Sequence, residues 1–211
     1  MMDAATITAI GAVVVSLLTL IINQYNKMTQ KYRDKMNDLK FENYKKETER
    51  MGFKRSENTA KVFGELWRVL FETKADRVYI VQPHPLGNSE FLSIYFEVKR
   101  KGMSGMKENV QSFPMSEMAV FSEALAKNLF MCYTDIDSQV KDKQAKALLM
   151  TNGCHSVAIK KLSNAKDWVG NIFCEFTDEM EKSEDEIHKI LHDAAVNIQF
   201  ILPEFRENPL K

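Results

Sequence analysis

The sequence predicts an α+β protein with an N-terminal transmembrane helix, a helical stalk, and an antiparallel sheet flanked by helices. Three observations predict it. Residues 4–22 hold neither a charge nor a proline. The stretch after them is dense in charge of both signs. Beyond residue 55, short apolar runs bounded by Gly, Pro and Asn alternate with amphipathic helical spacing. The chain therefore divides into an anchor at 1–24, a stalk at 25–55 and an α/β domain at 56–211.

The anchor reads AATITAIGAVVVSLLTLII, and at 1.5 Å per residue its nineteen residues reach roughly 28 Å, the hydrocarbon thickness of a bilayer. A cleaved signal peptide needs a basic stretch before the apolar run and a small-x-small site after it. Here Asp3 precedes the run, and Asn23, Gln24 and Tyr25 follow it, so a retained single-pass helix is expected. Lys27, Lys31, Arg33 and Lys35 lie just after the run against Asp3 before it. The positive-inside rule then puts the chain in the inner membrane with its C-terminal domain in the cytoplasm. Ala4, Thr8, Ala12 and Ser16 recur every four residues, a small-residue face that lets helices pack closely in lipid and favours a homo-oligomer.

In the stalk, Gly52 is the only glycine and proline is absent. Asp34 and Asp38 precede nearby lysines, which supports a solvated helix. Tyr25, Met28, Tyr32, Met36, Leu39, Phe41 and Tyr44 follow a loose three-to-four spacing without a strict heptad. A coiled-coil pair and a lone charged linker helix both fit.

The domain opens on an amphipathic helix marked by Val62, Leu66, Val69 and Leu70 and ending near Thr73. Asp76–Gln82 and Phe91–Val98 read as a hairpin around the turn PHPLGNSE. A polar loop leads to a short strand at Val110–Phe113, and Ser116 opens a helix that Asn128 ends. Met131–Thr134 is extended, and the helix after it closes at Gly153. Ser156–Leu162 and Trp168–Phe176 form a second hairpin. Ser183 with Glu186 is a capping box for a last helix, whose apolar face runs from Ile187 to Ile201 before Pro203.

Over about Glu57 to Leu202 this order resembles the GAF family of ligand-binding and interaction domains. Ala75-Asp76-Arg77 looks like the family's passage from helix to first strand, and NGCHSVAIKKL with KDWVGNIFCEF resembles its late signature, carried by Gly153, Ser156 and Gly170. Lys161 stands near where many members have proline. A glycine inside a strand, as at Gly170, implies close backbone approach or a kink. The resemblance implies a ligand pocket beside the strand that Cys154, His155 and Ser156 begin. The Met-rich stretch from Met103 to Met118 adds Met115 and Met118 as adaptable candidates for a ligand or partner. A short apolar helix, a polar arm and a small α/β domain are also similar to the lysis holins of T-even phages, although those carry a segment before the membrane helix and a periplasmic domain.

Chemistry is sparse. With 29 basic and 29 acidic residues, no net charge calls for nucleic acid. Cys132, Cys154 and Cys174 fit neither a disulfide framework nor a zinc ribbon, and no phosphate-cradling glycine motif occurs. Cys154 and His155 lack the oriented base a nucleophile needs. His188 and His192 share a helix face without a third metal ligand, and Asp135, Asp137 and Asp142 lack the rest of a calcium loop. No catalytic residue, metal or cofactor is expected. The sequence thus predicts a membrane-anchored, non-enzymatic sensory or binding protein that takes a small molecule or a protein and self-associates. A holin-like lysis protein that oligomerises in the inner membrane is the alternative.

Overall fold

The computed structural model describes residues 4–85, 89–165 and 167–203, except for the side chains of 4–18 and 21. The chain forms two units, Met1–Lys54 and Arg55–Lys211. Helix α1 (Ala4–Thr73) begins in the first and ends in the second. In the first unit Tyr25, Tyr32, Phe41 and Tyr44 are all exposed. Among the described residues no helix is long and apolar enough to cross a membrane. The proposed packing face of Ala4, Thr8, Ala12 and Ser16 falls on side chains outside the described set, as does most of the expected span.

The second unit starts from the inward face of α1, where Val62, Leu66, Val69 and Leu70 are buried. The helix stops because Lys74 turns left-handed (φ 62°), while the Thr73 hydroxyl donates to Val69 O at 2.7 Å and accepts from Ala75 N at 3.2 Å. Asp76 then fastens three strand ends together. Its carboxylate accepts from Thr177 N and Oγ1, both at 2.9 Å, its N–H donates to Glu175 O, and its carbonyl accepts from Arg100 N.

Strands β1 (Arg77–His84) and β2 (Phe91–Lys99) form the first hairpin. Residues 86–88 of its predicted turn lie outside the described residues. Short β3 (Phe113–Pro114) pairs with β2. A 3-10 turn at Met115–Met118 leads into α2 (Ala119–Lys127), then β4 (Phe130–Tyr133), α3 (Ile136–Gln139) and α4 (Lys143–Thr151). The second hairpin, β5 (Ser156–Asn164) and β6 (Asp167–Phe176), precedes α5 (Glu184–Ile198). All six strands form one antiparallel sheet in the order β3-β2-β1-β6-β5-β4.

Strand alternation splits the core in two. Val78, Ile80, Ile172 and Cys174 face the layer of α1 and α5, joined there by Leu191 and Ile198. Tyr79, Val81 and Phe173 face the other way, toward Phe121, Leu125, Ala145 and Leu149 of α2 and α4. The capping box forms, Glu186 N donating to Ser183 Oγ at 3.4 Å and Ser183 N to Glu186 Oε2 at 3.1 Å.

Three elements differ from the sequence reading. The strand expected at Val110–Phe113 shrinks to β3, because Ser112 adopts φ 47° and interrupts the ladder. The helix expected from Ser116 ends before Asn128 as expected but begins only at Ala119, because Met118 (φ −132°, ψ 54°) breaks the helical path after a 3-10 turn. The last helix ends at Ile198, and Ile201 reaches the core from a following turn.

Candidate functional site

On the α2–α4 side the sheet bears an apolar cavity of about 20 Å³, room for roughly one water molecule. Tyr79, Val81 and Phe173 form its floor, with Phe121, Leu125 and Leu149 as walls and Met106 and Met118 completing the lining. The two wall helices are tied together by Asp142, one of the aspartates that fall short of a calcium loop. Asp142 caps α4 by accepting from Gln144 N (3.1 Å) and Ala145 N (3.2 Å), and its other oxygen accepts from Phe121 N at 3.2 Å, tying α4 to α2. Asp135 caps α3.

Beside the cavity, Arg77 and Glu175 form an ion pair, each side chain 1% exposed. Arg77 Nε donates to Glu175 Oε2 at 2.7 Å, a second guanidinium nitrogen donates to the same oxygen, and Tyr79 OH donates to the other. Arg77 also donates to Ser104 O (2.8 Å) and Asn152 O (3.2 Å), so one guanidinium joins two central strands to two loops. Burial raises the Glu175 carboxyl above the usual range, with Arg77 opposing it. Burial likewise pushes the Tyr79 phenol well up, and Glu175 adds to that. With its hydroxyl committed to Glu175, Tyr79 offers the cavity only its ring face.

The structure separates the candidates named from the sequence. Met118 lines the cavity, and Met115 packs at the edge of the same core. Cys154 is buried in that core without lining the cavity, and its thiol donates to Ser156 O at 3.4 Å. Ser156 is buried, donating to Asp178 O at 2.9 Å. His155 lines a separate open groove of about 620 Å³, shared with Cys132, Asp135, Glu179, Met180 and Lys182. Burial raises the thiols of Cys132 and Cys174, to about 11 and about 12, and that of Cys154 further, so all three are protonated at neutral pH. His188 stacks on Phe130 with ring centroids 4.3 Å apart and lies 3.3 Å from Lys160 Nζ. Among the described residues no group of three His, Cys, Asp or Glu side chains is placed to hold a metal.

No family model and no curated protein matches the chain. Solved structures do. The blue-light absorbing form of the Thermosynechococcus elongatus PixJ GAF domain superposes with a TM-score of 0.59 at 13% identity, over 70% of this chain and 86% of that one. A structure of the cyanobacteriochrome receptor PixJ gives 0.58 at 13% identity, covering 70% and 97%. The second unit has the GAF fold. A phycocyanobilin-bound GAF domain from a cyanobacterial phytochrome gives 0.54 at 18% identity, covering 67% and 84%. At such identities the likeness carries the fold of the GAF unit and not its ligand.

Tyr79, Phe121, Leu125, Leu149 and Phe173 of this GAF cavity were not among the sequence candidates. Tyr79 and Phe173 lie in continuous buried runs, where no polar alternation marks which face they take, and only the i, i+4 spacing of Phe121 and Leu125 gave a signal. Met118→Ala is expected to cost about 2 kcal/mol and to enlarge the cavity enough to admit a small apolar guest. Denaturant titration with and without xenon pressure checks both halves. A stability unchanged by the substitution would show that Met118 contributes no packing to the cavity lining.

Proposed function

We propose that this chain is a single-pass, membrane-anchored, non-enzymatic sensory protein that self-associates and whose GAF domain binds a small apolar ligand or a protein partner. The observation that carries the reading is the small apolar cavity on one face of a GAF-like sheet. Drug-sized ligands occupy pockets of about 300–1,000 Å³, far more than the cavity's 20 Å³. A bulky chromophore such as the one bound by the phytochrome structure therefore needs the lining, Met106 and Met118 among it, to rearrange. Methionine suits that duty, being unbranched and adaptable. Anchoring rests on the uncharged run at 4–22 and the basic flank beyond it.

The test is made in cells expressing the full chain. Carbonate washing is expected to leave the protein in the membrane fraction. In a Cys132→Ser background, Lys101→Cys is expected to resist an impermeant thiol reagent until the inner membrane is permeabilised. Release by carbonate would remove the anchor from the reading. Labelling in intact cells would put the GAF domain on the outer side and bring the lysis-protein alternative forward.

A further inference from the structure

Cys132 and Met180 form a sulfur pair in which the apolar cavity has no part. Cys132 lies in the edge strand β4, and Met180 in the loop between β6 and α5. Both side chains pack against the α1–α5 layer, across the sheet from the cavity. The Cys132 thiol donates to Met180 Sδ at 3.7 Å, and a thioether is a weak acceptor. The other two thiols are placed differently. Cys154 and Cys174 are buried and meet oxygen instead, at Ser156 O and Thr73 Oγ1. Cys132 is half-buried, and with Met180 it lines the open groove that His155 shares.

We propose that Cys132 and Met180 are two ligands of a soft monovalent cation of the copper(I) or silver(I) class, with its third position open to the groove. The separation fits. Two legs of about 2.3 Å, an ordinary metal–sulfur length, close on the 3.7 Å base at an S–metal–S angle of about 107° without either sulfur moving. That angle leaves room for a third donor, and the exposed His155 lines the same groove. The donors select the metal. Among the described residues His, Cys, Asp and Glu make no three-ligand set, so zinc lacks its ligands. Thiolate and thioether together favour copper(I). Charge agrees, because Asp135, Glu179 and Glu184 line the groove against Lys182 and draw a cation in. Binding breaks the S–H bond, forms the metal–sulfur bond and releases the proton to water. The thioether contributes only a lone pair, and the metal stays monovalent throughout. The product is a neutral thiolate–metal pair, which a half-buried position tolerates better than a bare charge. Once loaded, the site pins the loop before α5 to the edge of the sheet.

Titration of the full chain in detergent micelles, without oxygen, tests the site with silver(I) and copper(I) as probes and a copper(I) chelator as competitor. The parent is expected to hold one equivalent per chain against the chelator. Cys132→Ser is expected to lose it outright, and Met180→Leu, which conserves volume, to weaken binding about tenfold or more. Without metal, both variants are expected to melt close to the parent, which separates lost ligation from lost folding. X-ray absorption of the copper(I)-loaded parent is expected to show two sulfur neighbours at about 2.3 Å. A parent that yields its metal to the chelator overturns the proposal, as does metal retained by Cys132→Ser. Equal affinity in Met180→Leu, or a shell with one sulfur, reduces the site to a lone thiol and overturns it too.

Discussion

Glu175→Ala is expected to lower stability by about 3–5 kcal/mol, because it leaves the Arg77 guanidinium buried without its counter-charge. Arg77 and Glu175 are each 1% exposed, so water cannot replace the lost carboxylate without opening the sheet. The Tyr79 hydroxyl loses its acceptor in the same step. For a unit of this size the loss corresponds to roughly 10–15 °C in the thermal midpoint. A pair of this kind is strongly destabilising to break and much less so to replace as a whole. The triple variant Arg77→Met, Tyr79→Phe, Glu175→Leu is therefore expected to recover much of the loss. Denaturant unfolding of the three proteins checks the claim. A single variant as stable as the parent would show that the pair contributes nothing. A triple variant as poor as Glu175→Ala would show that shape, not the stranded charge, sets the cost.

Gly170→Ala comes next, with an expected loss of about 3–4 kcal/mol from overpacking added to a backbone conformation that L residues rarely adopt. Gly170 has φ 157°, and a Cβ there would sit 2.7 Å from Val81 O. The clash is with backbone of the neighbouring central strand, so no side chain can rotate to relieve it. The strain falls where β5 and β6 shift register between Leu162 and Ser163. Urea titration is again the measurement, and a loss below about 1 kcal/mol would mean that the strands part easily at this point.

Gly170 also shows what a sequence reveals well. A glycine inside an otherwise apolar strand announces close approach, and the structure supplies the atom it approaches. Ser183 and Glu186 announced their capping box in the same way, because both partners lie within one turn. The loop from Met103 to Met118 was the opposite case. Its path depends on Ser112 turning left-handed and on Glu97 receiving the N–H groups of Met106 and Lys107, contacts nine and ten residues apart with no local pattern. The cavity was only partly readable for a related reason. Cys154, His155 and Ser156 are neighbours in sequence, but the turn into β5 and the pleat send them to a core, an open groove and a backbone carbonyl. Met115 and Met118 stayed together, because residues three apart in a 3-10 turn share a side.

The brevity of the outermost strands has a consequence for crowding. β3 spans two residues and β4 four, so neither outermost strand is long enough to be a good template. Long bare borders template fibrils by recruiting strands from neighbouring molecules. A domain concentrated on a surface would meet such neighbours constantly. With so little border to offer, this one can be gathered densely without polymerising strand to strand.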